Sequence, residues 1–204
     1  MLIRKQLTVL SETGNEYAQQ VLLKLPDGKT ATINNVYLPS ACSLRKRKIP
    51  EEQARSAVLD IVTAAPVADH VITVGDFNTR TSTLAPRVGD VQLERASADS
   101  TVGPRARWFI AMCEMTEVHI LNGKSSRSPA PFTCHTPKGQ SAVDYILCNS
   151  TGREIQYDAL TLEQYSDHTL MWVTLPVAVA PPLPKNSAAP PAATTYRWDV
   201  GPSV

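Results

Sequence analysis

The chain has 204 residues, enough for one domain with a substantial core and too few for two comfortable ones. Lys and Arg number 20 and Asp and Glu 19, and setting aside Lys185, Arg197 and Asp199 near the C-terminus leaves 18 of each, so bulk charge makes no argument for a polyanionic partner. No run of about 18 apolar residues exists, and the N-terminus lacks the charged, apolar and small-residue order of a signal peptide, which predicts a soluble, intracellular protein with no membrane partner.

The first third has strand texture. Leu2-Ile3, Leu7 to Leu10, Val21 to Leu25 and Thr30 to Tyr37 are apolar or β-branched runs, and Asp27-Gly28 between the last two supplies the positive φ of a tight hairpin turn. The basic run Arg45-Lys46-Arg47-Lys48 follows; such runs are more often solvated loops than phosphate contacts. Ile49-Pro50-Glu51-Glu52 predicts a helix start, with Pro near the first position and acids where the dipole favours them. Ala54, Val58, Ile61 and Val62 then recur at helical spacing and give that helix one packing face.

Val71-Ile72-Thr73-Val74 predicts a short buried strand, and Thr79 to Gly103 a polar surface loop holding Arg80, Arg87, Arg95 and Asp99. Trp108, Met112 and Met115 mark a second helix whose stripe belongs to the core, with a strand around Val118 and Ile120 after it. His70, His119 and His135 sit in or beside apolar strands and are expected to be structural. The four cysteines lie far apart with no zinc spacing, so ordinary thiols in a reducing compartment are expected. Past Leu175, seven of the sixteen prolines and only three charges fall in Pro176 to Val204. The predicted organisation is a folded body over residues 1–175 and a Pro/Ala-rich linker or tail over residues 176–204.

Three stretches place polar groups at the lip of an apolar segment: Gly75-Asp76-Phe77-Asn78, Ser141-Ala142-Val143-Asp144-Tyr145-Ile146, and Ser166-Asp167-His168 before the run Leu170 to Val173. In open α/β sheets a strand's C-terminal edge is where ligands sit. Alone, Asp-Phe-Asn is as easily a turn, since both residue types turn readily; the recurrence favours a site. In this order the three stretches, with Asn35-Val36-Tyr37-Leu38-Pro39 ahead of them, resemble the endonuclease/exonuclease/phosphatase superfamily. Ile120-Leu121-Asn122-Gly123, with Phe132-Thr133 shortly after, is most similar to the endonuclease domain of non-LTR retrotransposons.

The resemblance implies an α+β fold, an α/β layered sandwich of two packed β-sheets flanked by helices. It implies a Mg²⁺-dependent phosphodiester hydrolase of endonuclease type that nicks DNA, with Mn²⁺ as an alternative ion and the nucleus as a compartment. A reverse transcriptase domain or chain of the parent element is the implied partner. Asp76 would orient or deprotonate the attacking water, while Asn78 and Tyr37 would bind the phosphate with Ser141 nearby. His168 would contact the scissile phosphoryl group as a cation, Asp144 would hold its ring, and Asp167 would lie on the metal side with Asp76. Such chemistry suits these residues, because a hard cation takes oxygen ligands and an imidazole beside a buried acid has its tautomer and charge fixed. Fold and catalytic set leave RNA, phosphoinositide or small phosphoester substrates open, as they do a non-catalytic remnant that at most binds nucleic acid.

The sequence departs from that family in one respect. Its members carry an Asn and a metal-binding Glu on two strands ahead of the part matched here, whereas Met1-Leu2-Ile3-Arg4 already resembles a later strand. The expectation is a chain lacking the family's first strands, with an apolar sheet edge uncovered.

Overall fold

The structure, a computed structural model, describes residues 7–124, 130–152, 155–161 and 165–176. The expected strand at Leu2-Ile3 and the tail beyond Pro176 lie outside the described residues. Three strands open the chain, β1 (Thr8–Gly14), β2 (Ala18–Lys24) and β3 (Thr30–Tyr37), followed by helices α1 (Ala41–Lys46) and α2 (Glu51–Thr63). β4 (His70–Asp76) comes next, then the two-residue strands β5 (Arg87–Val88) and β6 (Val91–Gln92), helix α3 (Ala106–Met115) and β7 (His119–Ile120). β8 (Cys134–Thr136), β9 (Gly139–Ser141), β10 (Asp144–Cys148), β11 (Gln156–Leu160) and β12 (Leu170–Thr174) complete the described elements.

Six strands form one mixed sheet in the order β1-β2-β3-β4-β10-β7. Among the described strands of this sheet only β3 and β4 pair in parallel; their connection through α1 and α2 is the crossover that a parallel pair requires. Alternation along the strands sends successive side chains to opposite faces. Val36, Tyr145 and Leu147 pack beneath α2 and α3 with Val58, Phe109 and Met112. Ile33, Ile72, Val74 and Ile146 face the other way, onto Tyr157, Met171 and Val173 of the β11–β12 hairpin. The expected layered α/β architecture is therefore present, and among the described residues the second sheet against the large one is this two-stranded hairpin.

The predicted Asp27-Gly28 turn joins β2 to β3, with Gly28 at φ 87° and the Lys29 amide donating to Asp27 Oδ1. Helix α2 begins after Pro50 and buries Ala54, Val58, Ile61 and Val62 as the periodicity predicts. Three expectations need correction. The first half of the basic run, Arg45 and Lys46, closes helix α1, whose N-cap Ser40 accepts from the Ser43 amide, while Arg47 caps the helix and Lys48 turns away at φ 56°, so the run is solvated as expected but only its second half is loop. Met115 is the last residue of α3 and is 64% exposed, because the helix stops before its stripe turns back to the core. Within the polar segment 79–103, Arg95 and Asp99 are buried, 9% and 1% exposed, and carry internal hydrogen bonds in place of solvent contacts.

At Gly75 β4 comes so close to β3 that a Cβ would lie 1.8 Å from the Val36 carbonyl oxygen, and its φ of 142° disfavours any other residue. Glycine there sets the spacing of the two strand ends that carry Tyr37 and Asp76.

Candidate functional site

The register brings the residues of three distant motifs to one sheet edge. Tyr37 ends β3 opposite Asp76 at the end of β4, and Asp76 pairs in turn with Asp144 at the start of β10. By alternation Asp76 and Asp144 share a face with Val74 and Ile146, the face that the hairpin covers. Directly ahead of β12, His168 reaches the same edge.

Phe77 explains why its two neighbours face outward. Its ring is fully buried, with its centroid 4.7 Å from that of Phe109 and 6.3 Å from that of Tyr145, and its amide donates to the Val143 carbonyl at 3.0 Å. With Phe77 anchored, Asp76 and Asn78 are left at the rim. Asn78 takes φ 45°, and both its backbone amide and its Nδ2 donate to the Asp76 carboxylate at 2.8 Å; Nδ2 also reaches the Leu38 carbonyl at 3.1 Å.

The His168 Nδ1–H donates to Asp144 Oδ2 at 2.9 Å and lies 3.1 Å from Oδ1. Nδ1 is thereby committed, which leaves Nε2 as the nitrogen free for a substrate. Thr133 braces the pair: its hydroxyl accepts from the Val143 and Asp144 amides at 2.9 and 3.0 Å, and its carbonyl accepts from the Thr169 amide at 2.8 Å. Ligand atoms of Asp76, Asp144 and His168 all lie within 4.8 Å of one another.

The electrostatics follow from that crowding. Burial, reinforced by the nearby Asp144 charge, pushes the Asp76 carboxyl up to about 6 against the pull of the Asn78 amide, His168 and Arg105. Burial also raises Asp144, despite the Thr133 hydroxyl and His168. Desolvation alone would lower His168, but the Asp144 carboxylate, with Asp76 and Asp167 behind it, raises the imidazole above its ordinary value.

Of the other residues expected here, Tyr37 is 54% exposed at the sheet edge and Asp167 is exposed, its carbonyl accepting the His135 amide at 2.7 Å. Ser141 ends β9 half-buried, its carbonyl accepting the Thr133 amide. His135 takes a structural post close by: Gln140 Nε2 donates to its Nδ1 at 3.0 Å, so Nε2–H is left to donate to Thr169 Oγ1 at 3.1 Å.

Sequence reasoning missed the supports. Asp99 accepts Arg80 Nε at 2.7 Å, Arg80 Nη2 at 2.6 Å and the Ala142 amide at 2.9 Å, tying the loop after Asn78 to the residues before Asp144. Asn122 holds β10 itself, accepting from the Ile146 amide and donating to the Asp144 carbonyl. The phrase Ile120-Leu121-Asn122-Gly123 carried a signal for Asn122; nothing separated Asp99 from the other polar residues of its loop.

The arrangement has the parts of a hydrolytic centre: an acid of raised pKa, a carboxamide locked beside it, an imidazole held by a second acid, and a carboxylate set that could receive a divalent cation. A family model described as the endonuclease/exonuclease/phosphatase family matches residues 1–168. The 3′ phosphatase NExo from Neisseria, solved bound to product DNA hairpin, is similar with a TM-score of 0.58 at 12% identity, over 83% of this chain and 72% of that one. A 3′–5′ exonuclease from Neisseria meningitidis gives a TM-score of 0.50 at 15% identity, over 76% and 64%. An endonuclease/exonuclease/phosphatase family protein from Leptotrichia buccalis gives 0.50 at 13%, over 78% and 54%. Identities this low show the fold alone, and the chain spans about half to three-quarters of these relatives' lengths. No curated protein sequence matches it. Since the family match takes in all three motif stretches and the fold agrees with it, the chain belongs to the endonuclease/exonuclease/phosphatase family.

Proposed function

We propose that this chain is a divalent-metal-dependent phosphodiester hydrolase of the endonuclease type that nicks DNA, most like the nicking enzyme of a non-LTR retrotransposon acting beside a reverse transcriptase. The observation that carries the reading is the Asp144–His168 pair beside the Asp76–Asn78 pair on one open sheet edge. Asp76, with its pKa near 6, is suited to take a proton from an attacking water close to neutral pH. The exposed Tyr37 hydroxyl supplies a donor for phosphate oxygens, with Ser141 close to the same edge, and Asn78 would join it by exchanging one of its two Nδ2 hydrogen bonds, to Asp76 or to the Leu38 carbonyl, for one to phosphate. His168, raised by Asp144, presents a cationic Nε2 to the charge that grows on the phosphoryl oxygens.

The donor set fits a hard cation in kind: Asp76 and Asp144 offer carboxylate oxygens near His168, and Asp167 is an exposed acid beside them. Asp76 with Asp167 would hold Mg²⁺, or Mn²⁺ in its place. Such an ion, when bound, neutralises phosphate charge and eases departure of the leaving oxygen.

One observation favours a second reading, a remnant with little activity. The Asp144 carboxylate accepts from His168 and that of Asp76 from the Asn78 amide and carboxamide, so an ion would have to share both acids with donors already in place. The test is conversion of supercoiled plasmid to nicked circle, with and without chelator. Chelator-sensitive nicking that disappears in His168→Ala supports the first reading. Hydrolysis of phosphomonoesters or inositol phosphates without nicking moves the substrate assignment, and no hydrolysis of any of these leaves the remnant.

A further inference from the structure

Asn78 has a left-handed backbone, which turns its carbonyl away from the sheet's ladder and leaves it to be held by something other than a strand. The partner is Arg105, immediately before α3. Its side chain is 3% exposed, its Nη1 lies 3.5 Å from the Asn78 carbonyl oxygen, and its Nε donates to Glu51 Oε1 at 3.1 Å. Its Nη2 is buried with no hydrogen-bond partner among the described residues. Glu51 is the first residue of α2 and also pairs with Arg55, so one carboxylate at a helix start serves two guanidinium groups.

A buried guanidinium is costly unless matched, and here one half-exposed acid shared with Arg55 is a thin match. A buried, incompletely paired charge whose second contact is the Asn78 carbonyl is a feature that packing alone does not call for. Phe109, four residues on, packs its ring against Phe77. The start of α3 therefore grips the catalytic turn at two points, an aromatic contact on Phe77 and a cationic one on Asn78. The first fixes where the turn sits, and the second restrains how residue 78 is rotated.

We propose that Arg105, oriented by Glu51, is a positioning residue that holds the Asn78 carboxamide in the orientation used on substrate. The proposal rests on the phosphodiesterase reading for its catalytic consequence, though not for its structural one. Asn78 Nδ2 is bound to the Asp76 carboxylate and the Leu38 carbonyl, and both bonds depend on where the Cα of residue 78 sits. Without the guanidinium the chain leaving residue 78 loses its tie to the start of α3, and the Cα that carries the carboxamide is free to shift.

The test compares Arg105→Met, which keeps the bulk, Arg105→Lys, which keeps the charge, and Arg107→Met, which removes an exposed charge two residues away. The first readout is the Asn78 side-chain amide pair in ¹H–¹⁵N spectra of the ligand-free protein, with exposed Asn35 as the internal reference. Arg105→Met should shift and broaden the Asn78 pair, Arg105→Lys should restore it in part, and Asn35 should stay put. The second readout is nicking of a DNA substrate, where Arg105→Met should lower kcat roughly 10- to 100-fold with KM little changed, the size expected when a reacting group is slightly misplaced. If wild-type protein does not hydrolyse DNA, the functional reading fails while the spectra still decide the positioning role. If Arg105→Met does not fold, Glu51→Gln, made at a part-exposed carboxylate, should give a smaller shift of the same Asn78 signals. An unmoved Asn78 pair in the folded variant, or an equal effect from Arg107→Met, overturns the proposal.

Discussion

His168 Nδ1 meets Asp144 Oδ2 at 2.9 Å, although one residue opens β10 and the other precedes β12 in a different sheet. Two sheets that already share the apolar cluster of Ile72, Ile146, Met171 and Val173 are thus also tied at their edge by this hydrogen bond. Under the proposed function this bond supplies catalytic charge, so His168→Ala and Asp76→Ala should each abolish hydrolysis. Loss of an acid or base group commonly costs about 10²- to 10⁴-fold in rate. Circular dichroism should remain that of wild type, because both side chains lie at a rim. A variant that retains nicking within a few-fold would remove that residue from the mechanism.

The rate should follow a bell-shaped pH profile. Asp76 must be ionised to accept a proton, so activity rises as pH climbs through its raised value of about 6. His168 must be protonated to face phosphate, and the Asp144 carboxylate raises its pKa above the ordinary imidazole value, so activity falls as pH rises through that raised pKa. Asp144→Asn removes the charge that lifts the imidazole and should move the alkaline limb to lower pH. Initial rates from about pH 5 to about pH 9 at constant ionic strength check this; a flat profile would exclude both groups from the rate-limiting step.

Asp99 should be a stability residue. Asp99→Ala leaves the buried Ala142 amide without its acceptor and strands Arg80, which is part-exposed and can turn to water. The expected cost is about 2 to 4 kcal/mol, or a melting point lower by roughly 5–15 °C. Burial would raise this carboxyl, but its bonds to Arg80 and to the Ala142 and Thr101 amides hold it below the ordinary 3.8. Its contribution is then fully present above that value and fades as pH falls through the lower folded one, so the difference between wild type and Asp99→Ala should shrink in acid. Melting curves at neutral and acid pH decide it; a variant as stable as wild type at neutral pH would refute the support assigned here.

Removing Pro176 to Val204 should leave the melting temperature unchanged. The prediction rests on composition: seven prolines and three charges leave little to bury. A truncated chain melting several degrees lower would mean that this segment packs on the body.

What could be read in advance was whatever leaves a local mark. The β2–β3 hairpin announced itself through Asp27-Gly28, α2 through Pro50 and its acids, and the strand ends through an apolar run that stops at Asp76 and another that starts after Asp144. The residues that hold the motifs together were illegible, because Asp99, Arg95 and Arg105 are charged and composition places charge outside. Their burial is set by partners far along the chain, Ala142, Asn122 and Glu51, which no local pattern encodes. Helix α1 was hidden for a related reason: its basic run looks solvated, and it is, yet Ser40 caps it and Leu44 anchors it.

The close pass of β4 over Val36 bears on how this protein would look in a survey of all single substitutions. Position 75 has no side chain, donates nothing to a substrate and would still tolerate only glycine, because a methyl group there collides with backbone that cannot step aside. Its tolerance profile would be indistinguishable from that of a reactive residue. Position 139, also at positive φ but with nothing within 4 Å, would be penalised far less. Ranking positions by intolerance alone would thus count Gly75 among the chemical groups of the site, when what it supplies is the gauge between two rails.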